Sequence, residues 1–122
     1  MEAKKDDTRK KGREGEDKAV SFLEENGISV IERNYRCRLG EIDIIGLDGS
    51  TRVFFEVKYR KSDAFGQPYE AVGYRKQRVI CRTADHYRMT RSLPVDMPCR
   101  FDIISIRGDS IEWYKNAFEY IY

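Results

Sequence analysis

The chain has 122 residues, 40% hydrophobic and 36% charged, which suits one folded domain with its own core and excludes a disordered chain. No apolar run reaches the ~18 residues of a membrane-spanning helix, and the charged start from Met1 to Lys18 lacks a secretory signal's apolar stretch, so a cytoplasmic protein without a membrane partner is expected. The net charge is only +2, yet nine Lys or Arg face three Asp or Glu between Lys58 and Arg91, a surplus that suits a polyanionic partner.

Residues 1–8 are expected to fray, leaving residues 9–122 as a single domain. A first helix is predicted from Thr8 to Asn26, with Ala19, Val20, Phe22 and Leu23 at helical spacing and Gly27 as its C-terminal stop. Strands are predicted over Ile28 to Arg36, Glu41 to Leu47 and Thr51 to Arg60. The turn signal Asp48-Gly49-Ser50 joins the last two into a hairpin. Ser62 to Pro68 reads as a loop, and a second helix, carrying Arg75, Lys76, Arg78, Arg82 and Arg88, follows from Val72 to Met89. Two further strands, Arg100 to Ile106 and Ser110 to Tyr114, flank the turn Arg107-Gly108-Asp109. The order implies an α/β fold, a mixed sheet covered by helices.

Three widely spaced cysteines, Cys37, Cys81 and Cys99, suit reduced thiols better than a disulfide framework. His86 is the only histidine and no Cys-x-x-Cys occurs, which excludes the usual zinc sites. His86 is therefore expected to be structural. No nucleophile motif accompanies it to make a Ser-His-Asp triad.

The carboxylates of the hairpin are more informative. Residues two apart on a strand share a face, so Glu41, Asp43 and Ile45 point one way and Ile42 and Ile44 the other. With a connection of two or four residues, Asp43 lies opposite Glu56 or Phe54 and converges with Glu56 and Lys58; three residues would separate them. Acidic residues inside apolar strands are costly unless paired or metal-bound. Two carboxylates can hold Mg²⁺ or Mn²⁺, and a neighbouring lysine can position water, which together suffice for phosphodiester hydrolysis. A strand-face salt bridge is the competing explanation for Glu56-x-Lys58. Gly12 and Gly15, costly inside a helix, suit a close approach to another element or a phosphate. Glu16 lies in register with Val20 and Leu23 and either reaches the Asp43 and Glu56 cluster or pairs with Arg13. Tyr35, Tyr69, Tyr74 and Tyr87 lie near basic residues, where rings serve for stacking or for packing.

Five ordered blocks carry a resemblance: Gly12-x-x-Gly15-Glu16, Asn34-Tyr35-Arg36, Gly40-Glu41-Ile42-Asp43-Ile44-Ile45, Phe55-Glu56-Val57-Lys58-Tyr59-Arg60 and Arg100-Phe101-Asp102-Ile103. Over residues 10–120 the chain resembles the YraN-like family of small bacterial proteins, which is similar to archaeal Holliday-junction resolvases of the PD-(D/E)xK nuclease superfamily. The resemblance implies a restriction-endonuclease-like mixed β-sheet flanked by helices, with Asp43, Glu56 and Lys58 as the signature residues and Glu16 as an additional helix carboxylate. It also implies a supporting role for Lys76 or Gln77 at the start of the basic helix, and a homodimer that cuts two strands. Two departures stand out: Ile42 where the signature has proline, and Tyr59 where a small hydroxyl residue is expected.

The resulting expectation is a Mg²⁺- or Mn²⁺-dependent endonuclease-type site acting on branched, duplex or repair-intermediate DNA. Asp43 and Glu56 bind metal, Lys58 assists the attacking water, and Glu16 orients a ligand water. Arg75, Lys76, Arg78 and Arg60 contact phosphates. The competing expectation is a non-catalytic nucleic-acid-binding module of the same fold, a partner in DNA processing or uptake.

Overall fold

Two stretches of near-continuous apolar residues, Val53–Phe55 and Phe101–Ile106, decide the architecture, because strands buried on both faces lose the usual polar alternation. A computed structural model describes residues 2–60 and 72–122, with side chains from residue 12 onward. The described elements run in the order α1 (Glu2–Glu25), β1 (Ser29–Cys37), β2 (Gly40–Asp48), β3 (Thr51–Tyr59), α2 (Tyr74–Thr90), β4 (Cys99–Arg107) and β5 (Ser110–Phe118). They form a mixed five-stranded sheet in the order β1-β2-β3-β4-β5, antiparallel except for the parallel pair β3 and β4. Parallel neighbours need a long crossover, and the segment containing α2 supplies it.

The two helices cover opposite faces of the sheet. Ala19 and Leu23 of α1 pack with Ile44, Val53, Phe55, Ile104 and Ile106. On the other face Ile80, Ala84 and Tyr87 of α2 pack with Tyr35, Ile42, Ile45, Phe54 and Ile103. The α/β fold class expected from the element order therefore holds, and the arrangement is compatible with a restriction-endonuclease-like sheet.

Element bounds agree closely with expectation at most ends. Helix α1 reaches back to Glu2 rather than starting near Thr8, since Ala, Lys, Arg and Glu sustain helix without an apolar stripe to announce it. It ends where Gly27 takes φ +90° and the Ile28 N–H returns to the Leu23 carbonyl at 3.0 Å. Helix α2 starts at Tyr74 rather than Val72. Strand β5 runs four residues past Tyr114, through an irregularity at Asn116 (φ +52°) whose N–H donates to the buried Asp102 carboxylate at 2.8 Å. Asp102 also accepts from Arg100 Nε at 3.1 Å and Trp113 Nε1 at 2.9 Å, so the acidic residue of the Arg100-Phe101-Asp102-Ile103 block is a satisfied structural group. The expected loop from Ser62 to Pro68, with Tyr69 and Lys61, lies outside the described residues. The three cysteines are free, and no described helix is long and apolar enough to cross a membrane.

Candidate functional site

Strands β2 and β3 are joined by the two-residue turn Gly49-Ser50, with Asp48 opposite Thr51. This even connection puts Ile44 opposite Phe55 as the last paired residues, so Asp43 and Glu56 come next in line on the two strands. The sequence expectation that they become neighbours is met on register.

The strand does not continue as a plain pleat, however. Ile42 packs on the α2 face and Ile44 on the α1 face, whereas strict alternation had placed both on one side. Both neighbouring strands depart from regular geometry at the same place. On β1, Asn34 adopts φ +54°, between Arg33 opposite Ile44 and Tyr35 opposite Ile42. On β3, the Val57 N–H donates to Asp43 Oδ2 at 2.8 Å, so a side chain takes a role that a main-chain carbonyl fills in a regular ladder. The strand turns over at Asp43, and its carboxylate is held against the point where β2 and β3 part.

Burial pushes the Asp43 carboxyl up to about 7, with the negative charge of Glu56 as the next contribution; the Val57 N–H opposes the rise, while Glu41 and Glu16 add to it. Glu56 itself is buried. Lys58 Nζ lies 3.5 Å and Lys76 Nζ 3.9 Å from its Oε1. The strand-face salt bridge considered for Glu56-x-Lys58 is thus present, but it is shared with a lysine from α2. That places Lys76 beside Glu56, with its side chain still about half exposed.

Glu16 lies on the groove that Asp43, Glu41 and Tyr59 also line. Its Oε1 accepts from Arg33 Nε at 2.9 Å and Asn34 Nδ2 at 2.8 Å, both on β1, and not from Arg13. Arg33 also reaches Asp17 Oδ1 at 2.6 Å. The close approach anticipated for the helix glycines is found at Gly15, where an added Cβ would overlap the Tyr59 ring, while Gly12 faces open space. Sequence reasoning missed Arg33 and Asn34. The available signal was Asn34 itself, one of the few non-glycine residue types that readily takes positive φ.

The basic segment is less uniformly available than its composition suggests. Arg82 pairs with Asp85 and Tyr120, Arg88 donates to the Val95 carbonyl, and Arg91 pairs with Glu32. Arg75 and Arg78 are exposed and have no ion pair among the described residues. Arg60, at the end of β3, is half-buried and already engaged. His86 Nδ1 shares a hydrogen bond with the Tyr35 hydroxyl at 2.5 Å, which gives the lone histidine a structural partner. Tyr35 and Tyr87 are buried, their rings packed edge to face.

The donor set for a metal is Asp43 and Glu56, two oxygen ligands that suit a hard divalent cation whose remaining positions are filled by water and phosphate. No group of three or more metal-capable side chains occurs among the described residues. Two coupled carboxylates, one held partly protonated by burial and its neighbour's charge, fit a cation that would relieve that repulsion.

Comparison with known proteins places the chain within one family. The family described as "Uncharacterised protein family UPF0102" matches residues 15–106. A UPF0102 protein of Lachnoclostridium phytofermentans is 45% identical over 104 residues, covering 85% of this chain and 88% of that one. Another from Persephonella marina is 46% identical over 112 residues, covering 92% and 96%. A third, from Shewanella loihica, is 44% identical over 108 residues, covering 88% and 93%. The resemblance drawn from the five sequence blocks holds at this level, and the chain belongs to the UPF0102 family, the YraN-like proteins.

Proposed function

We propose that the parting ends of β2 and β3 form a Mg²⁺- or Mn²⁺-dependent endonuclease-type site that cleaves nucleic acid, with branched or repair-intermediate DNA as the substrate class. The observation that carries this reading is the placement of Asp43 and Glu56 next in line on β2 and β3, near enough for the charge of Glu56 to act on Asp43, with Lys58 on Glu56. Burial and mutual repulsion raise Asp43 to about 7, and an ammonium group stands 3.5 Å from Glu56. A carboxyl perturbed as Asp43 is belongs to the kind that gathers where chemistry is done.

Asp43 and Glu56 would hold the cation, which when bound neutralises phosphate charge and lowers the pKa of water. Asp43 keeps its orientation through the Val57 N–H. Lys58, tethered to Glu56, is placed to hydrogen-bond an attacking water and to offset charge developing on the phosphate. Lys76 reaches the same carboxylate from α2 and holds that helix against the site. Glu16 orients water from the α1 side. Arg75 and Arg78, both exposed, contact phosphates of the substrate. The likeness of the family to resolvase-type PD-(D/E)xK nucleases supports the same assignment of Asp43, Glu56 and Lys58.

One observation favours the second reading, a nucleic-acid-binding module without catalysis: two lysines already neutralise Glu56, as in a structural ion-pair network. A Mn²⁺ titration followed by electron paramagnetic resonance separates the two. Wild type should bind one ion, and Asp43→Asn should weaken that binding at least tenfold. Absence of Mn²⁺ binding by wild type overturns the catalytic reading and leaves the binding module.

A further inference from the structure

We propose that Asn34 is the positioning residue of this site, setting both the turn-over of β2 at Asp43 and the orientation of Glu16; the inference rests on the reading of the site given above. Two features of one residue carry it. Its backbone takes φ +54° on β1 at the place facing Asp43, between the pairs Arg33 with Ile44 and Tyr35 with Ile42. Its side-chain amide donates to Glu16 Oε1 at 2.8 Å.

The backbone feature acts on β2. Positive φ at one residue interrupts the pleat, so the residues on either side of it, which share a face in a regular strand, point to opposite faces, here with the register unshifted. Tyr35 and Ile42 consequently join the α2 face, while Ile44 joins the α1 face. Asp43, caught at the break, leaves the regular ladder and takes the Val57 N–H. Without the break, Asp43 would stand out from the sheet as an ordinary strand residue.

The side-chain feature acts on α1. Glu16 is 13% exposed at its side chain, so its carboxylate needs fixed partners. Arg33 Nε and Asn34 Nδ2 both donate to the same oxygen, Oε1, at 2.9 and 2.8 Å, which fixes the rotation of the carboxylate in the groove shared with Asp43. Arg33 is additionally tied to Asp17 at 2.6 Å, so α1 is clamped to β1 one residue further along. Asparagine meets both demands at once. Glycine would satisfy the backbone alone, whereas most other residues would be strained at this φ.

Partners that orient the groups around a metal commonly change its affinity by about 10- to 100-fold when removed. The test uses Asn34→Gly, which keeps the positive φ and removes only the amide, so the fold and thermal midpoint should stay close to wild type. Mn²⁺ affinity should fall about tenfold, the low end of that range, because Asn34 acts through Glu16. In a Glu16→Ala background the same Asn34→Gly change should cost no further affinity. Two results would overturn the assignment: unchanged Mn²⁺ affinity in Asn34→Gly, or an equal loss with and without Glu16. Failure of wild type to bind Mn²⁺ is a different outcome, which removes the metal site itself and this assignment with it.

Discussion

The ring of Tyr59, at the end of β3, occupies the space that any side chain at Gly15 of α1 would need. This seats the helix bearing Glu16 directly on the strand bearing Glu56 and Lys58, and it gives one of two helix glycines a steric reason. Gly12, one turn earlier, meets nothing within 4 Å. The two alanine substitutions should therefore differ in sign. Gly12→Ala should stabilise by roughly 0.5–1 kcal/mol through helix propensity alone. Gly15→Ala should destabilise by roughly 1–2 kcal/mol as the ring is displaced. In a Tyr59→Ala background, Gly15→Ala should become stabilising as well. Urea unfolding of the four variants measures this, and equal stabilisation by both alanines in the presence of Tyr59 would contradict the contact.

The metal-free protein should carry the cost of Asp43. A carboxyl near 4 in the unfolded chain and at about 7 when folded binds more protons in the native state between those values. Stability therefore falls as pH rises from about 4, and the full penalty stands above about 7, with an upper bound of about 4 kcal/mol. Asp43→Asn can still accept from Val57 without the charge. It should match wild type near pH 4 and exceed it at pH 8 when divalent ions are chelated, as thermal unfolding across that range would reveal.

Asp102 should behave in the opposite way. Its buried carboxylate is matched by Arg100, Trp113 and the Asn116 N–H. Removing it leaves Arg100 only its second carboxylate, Asp48, and takes the acceptor from Trp113 Nε1 and the Asn116 N–H, so Asp102→Ala should destabilise by about 1–3 kcal/mol in denaturant unfolding. Two aspartates from two of the five sequence blocks thus have opposite expected effects on stability.

Nucleic-acid affinity should depend on Arg75 and Arg78 without regard to sequence. Each lost phosphate contact should reduce the slope of log K against log salt by about 0.9 on duplex DNA. A double Arg75→Ala, Arg78→Ala variant with unchanged slope and affinity would move the binding surface elsewhere.

What the sequence revealed and concealed follows from the range of the interactions. The turn Asp48-Gly49-Ser50 announces itself locally, but the length of its connection stayed open in the sequence, and it is the two-residue turn of the structure that brings Asp43 next to Glu56. The buried strands β3 and β4 are legible from their apolar runs. The turn-over of β2 was not, because it depends on the φ of Asn34 one strand away and on a side chain capturing the Val57 N–H. Glu16 was recognised as a core-facing carboxylate, but its partners lie 17 and 18 residues further along, beyond any helical spacing. Lys76 was expected to contact phosphates or, through the resemblance, to support the site. Only the packing of α2 on the sheet brings it to Glu56.

The central claim, a metal-dependent nucleic-acid-cleaving site at Asp43, Glu56 and Lys58, is tested most directly by a cleavage panel. Single-stranded, duplex, flap and four-way-junction DNA would be incubated with Mg²⁺ or Mn²⁺ and either wild type or Glu56→Ala. Wild type should cut at least one of these substrates, branched DNA foremost, only when the cation is present, and Glu56→Ala should cut none. Equal cutting by both proteins would identify a contaminating nuclease, and no cutting of any substrate by wild type would contradict the claim.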